Sequence, residues 1–378
     1  MKGLNKKLKG FKTGPSARIY EYLRDHYKDE ADSPIGILVS YIKRIEGFKI
    51  GSYEANVKTR QLTALYKLEE LHNLMEDLKD ILSRRPVRVF VDELDRGWDS
   101  SEDAKSFVAG LFQAAISIND LSKNLTVYIS LRQELYESIP ALYDDAQKYR
   151  DVMEFIRWDE PSLKHLLALR IRHSVSALAN IQDDEEVWNA VFSATLQYRQ
   201  TKGFNYIVDR TLYRPREIIQ FCTTIVEENP RHGAFPIDYE IISKAELIYS
   251  EDRAKDIASE YRFQYPGLMS VFEVFRGKTY TLDRDELELL CLEVCLGEHS
   301  LTPEAQNWVQ NQDPSFVIEA LWRIGFLRAQ AVGGIKAQRR SGSSYLGPHQ
   351  ISNLSLHNLT RFHVHPMFRS YLGMKEEK

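Results

Sequence analysis

Arg85-Pro-Val-Arg-Val-Phe-Val-Asp-Glu-Leu-Asp-Arg-Gly-Trp-Asp-Ser100 is an apolar run that stops abruptly at two carboxylates. Val87, Val89, Phe90 and Val91 are β-branched or aromatic and follow a proline, the pattern of a short buried strand in a parallel sheet. Asp92 and Glu93 then stand at its C-terminal end, the edge of an open α/β sheet where ligands bind. Two readings fit this signal. In one, the first acid holds a magnesium ion and the second orients an attacking water. In the other, a buried strand runs into an acidic loop and Asp92 caps the next helix.

The flanks extend the pattern. Asp103 to Ile118 carries Phe107, Val108, Leu111, Phe112, Ala115 and Ile116 on one side, an amphipathic helix fit to be a βαβ crossover. Leu125-Thr-Val-Tyr-Ile-Ser-Leu131 reads as the next buried strand and ends in Arg132. Phe155-Ile-Arg-Trp-Asp159 reads as the last strand of the core sheet, and Asp159-Glu-Pro-Ser162 opens the helix after it.

With these elements in place, Val-Phe-Val-Asp-Glu-Leu-Asp-Arg-Gly-Trp-Asp resembles the Walker B segment of bacterial P-loop ATPases of the STAND and KAP-like groups. The resemblance implies a nucleotide-binding core followed by a helical lid and a winged helix, with ATP and Mg2+ as cofactors. It implies Asp92 fixing Mg2+ through its water shell, Glu93 polarising water, and Arg132 sensing the γ-phosphate from the tip of the following strand. In Thr211-Leu-Tyr-Arg-Pro-Arg-Glu-Ile-Ile-Gln220 it implies a second sensor, Arg216, reaching back from the lid. Relatives of that architecture couple nucleotide state to oligomerisation, signalling or defence against phage. The residues alone also allow Arg132 to pair with Asp92, Glu93 or Glu134, and Arg216 to be an exposed arginine on a proline-capped helix.

A complete P-loop core places a strand and G-x-x-x-x-G-K-[ST] ahead of Walker B, and this chain shows no such segment. Gly10-Phe-Lys-Thr-Gly14-Pro-Ser lacks the Gly-Lys-Ser/Thr ending, and Gly277-Lys-Thr279 has Phe272 where the first glycine belongs. Either the P-loop lies outside this chain, or the core is a degenerate copy that has abandoned hydrolysis. Residues 1–84 read as helices from their apolar stripes, and the lysines at 2, 6, 7, 9 and 12 read as a solvated or frayed end.

From about Pro266 the pattern changes to three short helices, a strand, a polar Gly/Ser-rich segment and the returning strand Arg361-Phe-His-Val-His-Pro. That is the parts list of a winged helix-turn-helix. Its third helix carries Glu319 and Arg323 among apolar residues, so protein-facing packing is favoured over base reading. A DNA contact would fall to the wing, through Lys336, Arg339 and Arg340, with His349 nearby. His363 and His365 share a strand face at metal-ligand spacing, without a third ligand close by in sequence.

Composition excludes several classes. With 43% hydrophobic and 28% charged residues the chain is of the ordinary globular type, and a net charge of −4 over 378 residues gives no global field for nucleic acid or an anionic membrane. Three cysteines form no disulfide framework, and no apolar window or leader points to a membrane or to export, so a cytoplasmic protein is expected. The expected organisation is a helical segment at 1–84, an α/β P-loop NTPase-type core with a partial parallel sheet at 85–175, an α-helical lid at 176–265 and a winged helix-turn-helix at 266–378. Such a protein is expected to act as an ATP-dependent switch that works on a protein partner or by self-association. Its alternatives are an inactive interaction scaffold and a winged-helix DNA-binding regulator.

Overall fold

The structure is a computed structural model that describes residues 14–15, 17–18, 21, 75–84, 86–95, 98, 101–120, 122–137, 139, 150–197, 200–229, 234–330, 345–348, 350–351 and 354–376. The amino-terminal lysines, most of the helices expected at 1–84, and the wing residues Lys336, Arg339, Arg340 and His349 lie outside the described residues. The chain divides into two compact units, Met1–Ala146 and Gln147–Lys378, each described by itself.

In the first unit, helix α1 (Met75–Arg84) leads through Pro86 into strand β1 (Val87–Val91). Helix α2 (Glu102–Asn119) then carries the chain to β2 (Leu125–Ile129), which pairs with β1 in parallel, Val87 opposite Leu125 through Val91 opposite Ile129. Ser101 caps α2 by accepting the Ala104 N–H at 3.2 Å. Asn119 at the other end clamps the incoming strand, accepting the Val127 N–H at 2.7 Å and donating to its carbonyl at 3.3 Å. Helix α3 (Gln133–Glu137) follows β2.

Sequence pattern implied that β1 is buried, and the structure corrects this. Phe90 is 74% exposed, and it stacks on the exposed Tyr128 of β2 with ring centroids 5.1 Å apart. Parallel sheets are normally covered on both faces. Here the described sheet has two strands, and among the described residues the Phe90–Tyr128 side has no apolar cover.

In the second unit a second expectation fails. Phe155 to Trp158 forms no strand, and Ile156 is 85% exposed. The Asp159-Glu-Pro-Ser signal does start helix α4 (Glu160–Ser174), with the Asp159 side chain accepting the Ser162 N–H at 3.0 Å. That helix packs on α5 (Asp184–Val191), where Asp184 holds both His165 and Arg172. Helices α6 (Gly203–Val208), α7 (Pro215–Glu228) and α8 (Tyr239–Glu260) follow, with Phe221 of α7 stacked on Tyr249 of α8 at 4.2 Å.

After α9 (Leu268–Glu273) come β3 (Thr281–Asp283), α10 (Arg284–Leu296), α11 (Pro303–Val309), α12 (Pro314–Arg323), β4 (Leu327–Gln330), β5 (Tyr345–Leu346), β6 (Arg361–Val364) and the short α13 (Pro366–Arg369). The strands form an antiparallel sheet in the order β3-β6-β4-β5. Gly267, just before α9, has φ 71°, and a Cβ there would stand 2.2 Å from Thr302 Oγ1, so only glycine fits.

The lid helices and the C-terminal sheet, expected as separate domains, share one core that runs from Leu163 to Leu372. Phe326, at the start of β4, stacks on Phe272 of α9 at 4.8 Å and touches Phe368 of α13 at the same distance. Polar ties cross the same boundary. Buried Arg328 of β4 donates to Asp209 at 2.7 Å and to its carbonyl at 2.9 Å, and the Ser250 hydroxyl donates to the Met367 carbonyl at 2.5 Å. Within the helices, buried Arg253 of α8 pairs with buried Glu217 of α7 at 2.9 Å.

His363 of β6 lies between the rings of Tyr345 and Tyr280 and meets Thr281 Oγ1 at 3.0 Å. Burial, with Arg369, Arg328 and Arg361 nearby, pushes its pKa from an ordinary 6.5 down to about 3. The folded state therefore binds fewer protons than the unfolded chain between those values. Stability from the neutral ring is intact above the unfolded pKa and is lost as pH falls toward the folded one. Glu273, held below the usual carboxylate range by the Arg276 guanidinium, adds loss in the same direction at lower pH. The urea midpoint is expected to fall between pH 7 and pH 4.5, and His363→Gln to flatten that fall. A midpoint level over that range in the wild-type chain contradicts the assignment.

Candidate functional site

The sites expected from sequence fall in both units. In the first, parallel pairing brings the C-terminal ends of β1 and β2 side by side, with Ser130 N–H donating to the Val91 carbonyl at 2.9 Å. Asp92 leaves β1 at that edge. The Ser130 hydroxyl donates to Asp92 Oδ1, and the Glu93 N–H donates to the same oxygen at 2.9 Å. These two bonds, the hydroxyl first, hold the exposed Asp92 carboxyl below the usual range. It stays an ionised acceptor with one oxygen already oriented.

Glu93 is exposed and has φ 61°, a left-handed backbone that a non-glycine residue adopts only where the turn requires it. The chain turns sharply at the second acid. Arg132, beyond β2, pairs with Asp95 Oδ2 at 2.8 Å, an acid that the sequence pattern did not single out among its partners. The tip therefore gathers Asp92, Glu93, Asp95, Ser130 and Arg132.

Such an edge offers hard oxygen donors. Among the described residues no three His, Cys, Asp or Glu side chains cluster as a metal site. One carboxylate and one hydroxyl do fit Mg2+, which keeps most of its waters and takes one or two protein oxygens together with phosphates. The donor set thus suits a metal that arrives with a nucleotide rather than one held by protein alone.

Arg216 belongs to the second unit. It sits exposed in the first turn of α7, after Pro215, and forms no ion pair or hydrogen bond with a described residue. The inward residue of that motif is Glu217. Its Oε2 accepts the Leu212 N–H at 2.6 Å while Oε1 takes Arg253, so Glu217 fastens the turn before α7 to α8. Arg214 beside it is engaged by Glu260 at 3.2 Å.

The remaining candidates are spoken for locally. Both ring nitrogens of His365 face donors, Nε2 the Arg328 guanidinium at 2.8 Å and Nδ1 the Met367 N–H at 3.1 Å. In α12, Val317, Ile318, Ala320, Leu321 and Trp322 are buried, and Glu319 meets Arg323 at 3.5 Å. All three cysteines are free and buried, and burial pushes the thiols of Cys222 and Cys291 up, away from thiolate chemistry. Among the described residues no helix is long and apolar enough to cross a membrane.

Residues 161–258, which span α4 to α8, match the family described as a FunZ-associated C-terminal helical domain. A putative transposon gamma-delta 80.3 kDa protein of Escherichia coli (strain K12) is 24% identical over 320 residues, covering 81% of this chain and 42% of that protein. The chain therefore spans less than half the length of that relative. No solved structure matches it.

Proposed function

We propose that the chain is part of an ATP-dependent switch or regulatory P-loop ATPase of the STAND/KAP-like type, acting in the cytoplasm on a protein partner or a second copy. The observation that carries the reading is Asp92 at the tip of a parallel strand, oriented by a hydroxyl from the neighbouring tip. In this reading residues 85–175 are the Walker B part of the core, residues 176–265 the lid, and residues 266–378 the winged helix.

Mg2+ and ATP, bound at the strand tips, would supply the electrophilic γ-phosphate. Asp92, oriented through one oxygen by Ser130 and the Glu93 N–H, would hold Mg2+ through its water shell. Glu93 would orient an attacking water, and Arg132, paired with Asp95 here, would be the cation available to negative charge at the tips. Arg216, exposed in the first turn of α7, is the candidate for the second sensor that the resemblance implies. Hydrolysis needs a P-loop from residues outside this chain, and the tips alone support binding without turnover. Calorimetric titration of the chain with Mg-ATP, beside an Asp92→Asn variant, tests this reading.

A second reading is supported by a separate observation. The Phe90–Tyr128 face is apolar and exposed, as an interaction scaffold that has given up nucleotide would present it. DNA binding has less support, since the outward groups of α12 are few and pair with each other.

A further inference from the structure

Two arginines of the second unit, Arg210 and Arg369, line one cleft, and Arg328 lies close enough to Arg369 to act on its charge. Arg210 pairs with Glu246 at 2.8 Å while lying over the Tyr206 ring, whose hydroxyl donates to the same carboxylate. Arg328 is spent on Asp209 at 2.7 Å. Arg369, on α13, is fixed differently. Its Nε donates to the Val364 carbonyl at 2.7 Å, and its guanidinium lies 3.8 Å from the centroid of the Tyr280 ring. It forms no ion pair with a described carboxylate, and both its anchors leave the charge uncompensated.

Burial, with Arg328 and Arg210 close by, lowers the Arg369 pKa to about 9. That is the mark of a cation surrounded by cations and short of an anion. The cleft it lines measures about 770 Å3, within the range of pockets that enclose small molecules. Tyr213, Tyr239 and Tyr280 contribute rings to its wall, and Ser243 and Asn205 contribute donors.

A second uncompensated charge, of opposite sign, lines the same cleft. Glu160, at the start of α4, accepts the Tyr213 hydroxyl at 3.1 Å and has no cation within ion-pair distance among the described residues. Burial, and the neighbouring Asp209, raise its pKa. The lining therefore offers a cation short of an anion at Arg369 and an acceptor for a hydrogen-bond donor at Glu160, with tyrosine rings in the wall.

We propose that this cleft binds a small phosphate ester of mononucleotide size, with its phosphate on the Arg369 guanidinium and an amino or hydroxyl donor of its other end on Glu160. A planar guanidinium with an open fork suits phosphate. Every residue named here belongs to the second unit, so the cleft is separate from the strand tips and does not depend on their reading.

Titration of the full chain with AMP, adenosine, inorganic phosphate and succinate tests it. AMP is expected to bind with a Kd below about 1 mM and adenosine at least about tenfold more weakly. Arg369→Gln should weaken AMP at least about tenfold, Arg369→Lys should restore part of the loss, and Asp92→Asn should leave it unchanged. Urea unfolding of each variant separates lost binding from lost fold. Should Arg369→Gln not fold, Glu160→Gln serves instead, with AMP weakened and inorganic phosphate unaffected. Equal affinity for AMP and adenosine, succinate binding as tightly as AMP, AMP binding indifferent to both cleft variants, or AMP binding abolished by Asp92→Asn overturns the proposal.

Discussion

Arg253→Met is expected to destabilise the second unit by about 3–5 kcal/mol, the usual cost of removing one partner from a buried ion pair. The Arg253 side chain is 7% exposed and that of Glu217 only 2%, so little water reaches either. Burial already raises the Glu217 pKa against the pull of Arg214 and Arg253. With Arg253 gone, the carboxyl keeps the Leu212 N–H and an arginine 3.8 Å away, and has to take up a proton or bury its charge. The double variant Arg253→Met/Glu217→Gln keeps an acceptor for Leu212 and should lose less than the two single losses summed, by about 0.5–3 kcal/mol. Urea unfolding of the four proteins measures this. Additive losses would mean that the two side chains do not act as a pair.

Phe326→Ala is expected to cost about 3–5 kcal/mol, the transfer term for a fully buried ring plus the cavity left behind. Its consequence for cooperativity is more informative than its size. Phe326 packs on Phe272 and Phe275 of the segment around α9, and on Phe368 of α13. The turn just before it brings Gly325 against Leu212, since a Cβ on Gly325 would come within 2.9 Å of that side chain. Hydrogen exchange should therefore accelerate together in α7, α8, β4 and β6. Acceleration confined to the β-sheet, with α7 and α8 still protected, would mean that the shared core does not couple the helices to the sheet.

Local chemistry explains which elements were readable in advance. Valine-rich runs placed β1 and β2, the apolar stripe from Phe107 to Ile116 placed α2, and Asp159, Thr302 and Asp313 announced the helices they cap. Pairing over long separations was not readable. Glu217 meets Arg253 36 residues away and Asp209 meets Arg328 119 residues away, and neither is marked by spacing within its own helix or strand. The Phe155 run is apolar enough for a strand but forms none, and its side chains stay exposed. Strand β3, three residues long, is too short for an alternating pattern.

The candidate site shows the same division. Asp92 and Glu93 stood out because a strand ends on them. Ser130 was one polar residue at the end of another strand, and its contact with Asp92 exists only because β1 and β2 pair in parallel and in register. The sequence does not mark Asp95 as the partner of Arg132, because Glu134 and the two acids that end β1 offer the same charge. Arg369 carried no local signal at all, since its neighbours Arg328 and Arg210 come from distant segments.

The measurement that bears most directly on the nucleotide reading is calorimetric titration of the purified chain with Mg-ATP and Mg-ADP, alone and as Asp92→Asn, Ser130→Ala and Arg216→Ala variants. The account predicts magnesium-dependent binding of ATP, weakened at least about tenfold by Asp92→Asn and by a smaller factor in the other two. Absence of binding up to millimolar Mg-ATP, or binding that Asp92→Asn leaves unchanged, would contradict it and leave the exposed Phe90–Tyr128 face of a scaffold as the feature to explain.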